Sequence, residues 1–313
     1  MILMNSIWNV YFALPPIVRQ KLRSWLKGTP GHGSSRFNRM IAMRDAHGKC
    51  RIDRCAQSFC EYLSASNITD IDGRQCLEIG TGYVGSSAVV MWLLGARNVT
   101  SVDLNHLFVP AALKESLLSV EKTELFNIMK KHARSEESLS NRINQVYTWA
   151  DAMQGSPSDF FIYLAPFDLL ACELNGPVDF IYSISTFEHI PKSIVSQFVE
   201  RMASFLGSDG EGMHCIDLTD HFDSKANPFG FLALAGDDYS DDSYADSRGN
   251  RIRGSEWLGI FRKSGMTAEI VMSSRAPRSH LPENLASPFH AMSEEELLVT
   301  SVVIHLVKQP VIT

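Results

Sequence analysis

Two groups of residues in this 313-residue chain have types and spacings that suit chemistry. The first is the turn Gly80-Thr81-Gly82-Tyr83-Val84-Gly85, ahead of an apolar run from Ala88 to Leu93. Glycine lets a ligand approach bare backbone, and the amides that open a helix bind a carboxylate or phosphate. The second is the segment Asp217-Leu218-Thr219-Asp220-His221-Phe222-Asp223. His221 suits a general base, with Asp217 or Asp220 as its orienting partner. It suits a loop cap as well. Asp217, Asp220, His221 and Asp223 would also suit a divalent metal through oxygen ligands, but no metal is assigned on this spacing alone. His189 is a second candidate base, or part of a structural turn.

The elements that position these groups follow from pattern. Cys76-Leu77-Glu78-Ile79 is a short apolar strand, and Gly95 is placed to stop the helix after the turn. Val99 to Asp103 is a second strand. Asp103 ends it about twenty residues past the turn, where nucleotide folds place a carboxylate for a ribose. Leu104 to Arg142 predicts a crossover helix and a helical insertion. Gln145 to Trp149 predicts the third strand, followed by Asp151 and Ala152. Val178 to Ile184 is the fourth strand, with Ser185-Thr186-Phe187-Glu188-His189-Ile190-Pro191 after it. Ile194, Phe198, Met202 and Phe205 then form a helical core stripe. Gly212 to Leu218 is the fifth strand, so the Asp217–Asp223 group falls on the carboxyl edge, where open parallel sheets bind ligands. Ser255 is the expected cap of a helix ending at Gly265, and Met266–Met272 and Val299–Val307 complete the sheet, the last strand antiparallel.

Glu78 inside the first strand gives Glu-x-Gly-x-Gly-x-x-Gly. Together with Asp103 and the Asp179–Ile190 segment, this resembles the class I S-adenosylmethionine (SAM)-dependent methyltransferases over Gln75 to Val307. The resemblance implies an α/β, Rossmann-like, mostly parallel seven-stranded sheet with an antiparallel last strand. It implies SAM as co-substrate. Gly80, Thr81 and Gly82 would line its methionine portion, Asp103 with Leu104 the ribose side, Asp151 and Ala152 the adenine, and Ser183 the amino-acid moiety. Trp149 or Met153 would flank the adenine ring. Glu78 would order the glycine loop. Tyr182 either faces the sulfonium, whose charge an aromatic ring stabilises, or simply faces a helix.

The resemblance further implies methyl transfer to a small-molecule acceptor, at oxygen, in a natural-product or polysaccharide pathway. The alternatives are a SAM enzyme that cyclises the aminobutyrate arm to azetidine-2-carboxylate with release of methylthioadenosine, and a SAM-binding protein without catalysis.

The chain divides into a helical cap over 1–70 and a catalytic domain over 71–313, with insertions at 104–142 and 222–254. An amphipathic helix over Ile17–Lys27 packs on its own domain or touches a membrane surface or partner. A second helix over Asp53–Ser64 buries Ala56, Phe59, Cys60 and Leu63. A formal net charge of -6 argues against a nucleic-acid surface. No apolar run is long enough to span a bilayer, and the six cysteines form no Cys-x-x-Cys pair. A cytoplasmic location follows most simply. Oligomeric state is open.

Overall fold

The computed structural model describes residues 32–152, 157–235, 245 and 247–309. The helix expected over 17–27 lies outside them, as does Met153. Among the described residues two helices precede the sheet, α1 (His32–His47) and α2 (Ile52–Ala65). Then come β1 (Gln75–Ile79), α3 (Ser86–Leu93), β2 (Asn98–Val102), α4 (Pro110–Leu118), α5 (Lys122–Met129) and α6 (Glu136–Ala152). The second half contains β3 (Ile162–Leu164), β4 (Val178–Ile184), α7 (Val195–Phe205), β5 (Leu206–Asp217), α8 (Gly254–Lys263), β6 (Met266–Arg275), α9 (Glu294–Leu297) and β7 (Val299–Lys308).

The seven strands lie in the order β3-β2-β1-β4-β5-β7-β6. Neighbours from β3 to β5 are parallel, and β7 runs antiparallel to both β5 and β6. This is the Rossmann-like sheet with a reversed last strand that the sequence predicts. From β1 the chain builds outward to β2 and β3, then returns to the other side for β4 and β5. The order therefore reverses between β1 and β4, and a crevice opens there at the carboxyl ends.

Side chains alternate across the sheet and feed two cores. Cys76, Phe180 and Tyr182 pack with Phe59 and Leu63 of α2, Val89 and Val90 of α3, and Ile143 and Val146 of α6. Leu77, Ile79, Ile181 and Ile216 pack on the opposite face with Phe198 and Met202 of α7 and Trp257 and Phe261 of α8. The helices ahead of β1 thus share the sheet's core. Ala42 and Ala46 of α1 pack against Val84 of the glycine turn and Ala112 of α4.

The third strand is not where the pattern placed it. Gln145–Trp149 lies inside α6, which buries Leu139, Ile143, Val146, Tyr147 and Ala150. These positions fall at helical spacing, and the tertiary contact of that stripe outweighs the β-preferring types Val, Tyr, Thr and Trp. The third strand is Ile162–Leu164, three residues paired with β2 at the edge of the sheet. Ser255 is not the cap of α8 either: the helix opens one residue earlier at Gly254, with Arg253 at its N-cap.

The segment after β5 is less solvated than its acidic composition suggests. Phe229, Phe231 and Leu232 form a small core with Leu281, Phe289 and Leu297. Asp220, buried, is paired with Arg248. No described helix is long and apolar enough to cross a membrane.

Candidate active site

The glycine turn sits at the carboxyl end of β1, on the topological switch. Gly80 has φ +88° and its amide donates to Val102 O at 2.8 Å. A Cβ there would lie 2.2 Å from Thr186 Oγ1, so the β1 and β4 loops close tightly only on a hydrogen. Gly82 has φ +64°, and a Cβ there would meet nothing within 4 Å. One glycine is required by the protein's own packing. The other borders open space.

Glu78 holds this turn from beneath. Its buried carboxylate accepts from Ser87 Oγ at the start of α3 and from Ser101 Oγ of β2. Thr81 Oγ1 joins Ser101 Oγ at 2.6 Å. Burial pushes the Glu78 carboxyl up to about 7, against the lowering effect of the two serine hydroxyls. Glu78 thus ties β1, β2 and α3 together and has no route to a ligand.

Asp103 is half-buried one residue past β2. Its Oδ2 accepts from Gly82 N at 3.1 Å and its Oδ1 from Asn105 N at 3.0 Å. Burial raises its carboxyl above the ordinary value, and the two amides offset part of that. Leu104 beside it is 62% exposed. Leu164, at the end of β3, is also exposed.

Five residues considered for contact with SAM lie away from the carboxyl edge. Asp151 and Ala152 are exposed on the last turn of α6, because the strand they were to follow is helical. The residues that do follow β3 are Ala165, Pro166 and Phe167, without an acid among them. Trp149 packs edge-on to Phe160. Ser183 is fully buried, with its Oγ 2.8 Å from His214 Nδ1, on the face that packs against α7 and α8. Burial lowers the His214 imidazole to about 3, so this partner is neutral. Tyr182 is fully buried too, its ring edge-on to Phe59 of α2 at 5.4 Å. Strand alternation points it at a helix, and it has no face toward the carboxyl edge. The residue that reaches that edge from β4 is Ser185, exposed and held at φ +50°. A non-glycine residue in the left-handed region is strained, and such strain clusters at functional sites.

The second chemical group assembles at the ends of β4 and β5. His221 Nε2 lies 3.4 Å from Asp217 Oδ2, an ion-pair distance without hydrogen-bond alignment. Asp217 Oδ1 accepts from Thr219 N at 2.8 Å and Thr219 Oγ1 at 2.7 Å. Burial alone would raise Asp217; His221 and the Thr219 donors outweigh it and hold the carboxyl below its ordinary value. The His189 and His221 rings meet edge-on at 4.9 Å. Asp220 is not the partner of His221, because Arg248 takes its carboxylate.

Glu188 is the member that sequence reading passed over. It stood in the segment after β4 without a role. It is 2% exposed, and its carboxylate comes within 4.8 Å of ligand atoms on both Asp217 and His221. Burial pushes its carboxyl well above the usual range. Asn250 fixes this turn: its Nδ2 donates to Phe187 O at 2.8 Å and Ile190 O at 2.9 Å, and its N to Glu188 O at 2.8 Å.

No family model matches the chain, and no curated protein matches it. Among solved structures it is similar to magnesium protoporphyrin IX methyltransferase from Synechocystis with S-adenosylhomocysteine bound, at 12% identity over 97% of this chain and 100% of that one, with a TM-score of 0.42. It is similar to the N-methyltransferase NodS from Bradyrhizobium japonicum, at 10% identity over 80% and 86%, with a TM-score of 0.41. It is also similar to a SAM-dependent methyltransferase from Mesorhizobium loti, at 11% identity over 80% and 98%, with a TM-score of 0.44. At likenesses of this size the fold rests on the chain's own sheet order.

Proposed function

We propose that the protein transfers a methyl group from SAM to an oxygen of a small-molecule acceptor. The observation that carries the reading is the order of the strand ends. Asp103, the glycine turn, Ser185 and the Asp217–His221 pair sit at the carboxyl ends of β2, β1, β4 and β5, four adjacent strands that straddle the switch point. At about 4.8 Å per strand, this edge spans roughly 14 Å. That is room for one extended nucleoside–amino-acid ligand with a second molecule beyond it.

Asp103 accepts the ribose hydroxyls, and the space beside Gly82 takes the methionine arm. The exposed side chains of Leu104 and Leu164 give the adenine ring an apolar surface, in place of the acid expected at Asp151. Ser185, rather than Ser183, meets the amino-acid end. The helices α1 and α2 cover this end, supported by the packing of α1 on Val84.

Methyl transfer from a sulfonium is an in-line displacement with a neutral leaving group. Alignment supplies most of the catalysis. The acceptor oxygen attacks the methyl carbon, the carbon–sulfur bond breaks, and its electron pair stays on sulfur. The acceptor must lose a proton, and His221 beside Asp217 is the group assigned to that loss. A hydroxylated acceptor of natural-product or polysaccharide type supplies the oxygen on which this base would act.

The test is product identification by mass spectrometry. Incubation with SAM and a panel of hydroxylated small molecules should yield S-adenosylhomocysteine only when an acceptor is present. Methylthioadenosine from SAM alone would contradict methyl transfer and favour cyclisation of the aminobutyrate arm.

A further inference from the structure

Three side chains at the ends of β4 and β5 converge, and only His221 and Asp217 among them stand at ion-pair distance. Both carboxylate oxygens of Glu188 are buried and have no hydrogen-bond partner among the described residues. His221 Nε2 is buried and likewise lacks one. Asp217 offers a carboxylate oxygen to the same point, all three ligand atoms lying within 4.8 Å of one another. The amides of Glu188 and Asp217 lie near the Glu188 carboxyl without hydrogen-bond geometry. A buried polar group left unpaired costs about 1–3 kcal/mol, and a second carboxylate close by adds repulsion. Among the described residues only the charge of Lys49 and the two nearby amides favour the ionised Glu188, and none donates a well-formed hydrogen bond to it. Asn250 nonetheless locks its backbone in that place with three hydrogen bonds.

We propose that Glu188, Asp217 and His221 bind one divalent transition-metal ion. A shared cation removes the repulsion between the two carboxylates and satisfies all three atoms at once. Ligand atoms about 2.1 Å from one ion stand roughly 3–4 Å apart, so a spacing at the 4.8 Å limit has to close by about 1–2 Å on binding. Two carboxylates and an imidazole suit manganese, iron or zinc. Calcium and magnesium prefer oxygen alone. Three protein ligands leave positions open, as catalytic metal sites do.

This inference rests on the methyl-transfer reading for its consequence, and it changes how the acceptor's proton leaves. An acceptor hydroxyl bound at an open position is acidified by the ion. Its O–H bond breaks, the proton passes to solvent water, and the metal-bound oxyanion attacks the methyl carbon. His221 then acts on the proton through the ion instead of taking it on the ring. The acceptor class this selects is a hydroxyl compound that binds as its anion.

The experiment is a Mn2+ titration of the 313-residue chain after EDTA treatment, followed by loss of the free-ion electron paramagnetic resonance signal. One ion per chain is expected. Glu188→Gln, Asp217→Asn and His221→Gln should each loosen it at least about tenfold. Asp223→Asn, a neighbouring acid outside the cluster, should bind as the parent does. Glu188→Gln keeps the shape of a side chain that has no partner to lose, so its metal-free melting temperature should match or exceed the parent's. That variant should also lack the rise that Mn2+ gives the parent. Parent-strength binding in Glu188→Gln overturns the proposal, as does saturation only by several weak ions. Ready displacement of Mn2+ by equimolar Ca2+ overturns the transition-metal assignment. SAM affinity in the same samples separates the two readings. SAM binding without Mn2+ binding sinks the metal site alone, and Mn2+ binding without SAM binding sinks the methyl-transfer reading alone.

Discussion

Replacing Glu78 by Gln should remove a pH dependence from the stability of this protein. Glu78 is buried under the glycine turn and accepts from Ser87 and Ser101. Its carboxyl has an ordinary value of 4.5 in the unfolded chain and about 7 in the folded one, raised chiefly by burial. Between those values the folded state holds a proton that the unfolded state has released. Stability therefore falls as pH rises through this window, and the loss is complete above about pH 7. At about 1.4 kcal/mol per pH unit, the loss amounts to about 3 kcal/mol. Gln keeps an acceptor and a donor for the two serines and carries no charge. The assay is urea denaturation of both proteins at several pH values from 4.5 to 8. The stability of Glu78→Gln relative to the parent should rise by about 3 kcal/mol across that range. Taking the difference cancels Glu188, Asp217 and the other titrating groups. A difference that stays flat with pH would show that the Glu78 carboxyl is not desolvated and that its serine bonds hold an ordinary carboxylate.

The remaining expectations are direct. Gly80→Ala places a Cβ 2.2 Å from Thr186 Oγ1 at φ +88° and should be strongly destabilised, whereas Gly82→Ala at φ +64° meets no atom and should fold with a cost of about 1 kcal/mol. If Gly82→Ala also binds SAM as the parent does, the space beside it is not the methionine pocket. Asn250→Ala strips the donor from Phe187 O and Ile190 O and should cost about 2–4 kcal/mol by chemical denaturation; a loss under about 0.5 kcal/mol contradicts its role as the clamp of the Glu188 turn. Asp151→Asn, at an exposed helix end, should leave SAM affinity unchanged by calorimetry, and a tenfold loss would restore it to the adenine site.

What could be read from the chain alone was local. The β1 strand, the glycine turn and α3 are contiguous, so Glu78, the glycines and Asp103 could be placed from spacing. The Asp217–His221 pair spans a single short segment and was equally visible. The third strand was not. Val146, Tyr147 and Trp149 are β-preferring types, yet all three lie in a helix whose stripe from Leu139 to Ala150 buries Val146 and Tyr147. The true β3 is too short for any period to show. Moving that strand removes the argument for Asp151 and Ala152. The position of Ser183 and the choice between the two readings of Tyr182 were hidden for a different reason. Which face of β4 a residue occupies, and how far from its end, depends on its pairing with β1 and β5. Glu188 could be quoted as part of a segment, but its burial, its missing partners and its approach to Asp217 and His221 exist only in three dimensions.

A SAM titration by calorimetry, in the parent and in Asp103→Ala, tests the central claim most directly. The account predicts one SAM per chain in the parent and at least about a hundredfold weaker binding in the variant, the loss expected for two hydrogen bonds to a charged carboxylate. No binding in the parent, or equal affinity in the two proteins, would contradict a SAM site at the ends of β1 and β2.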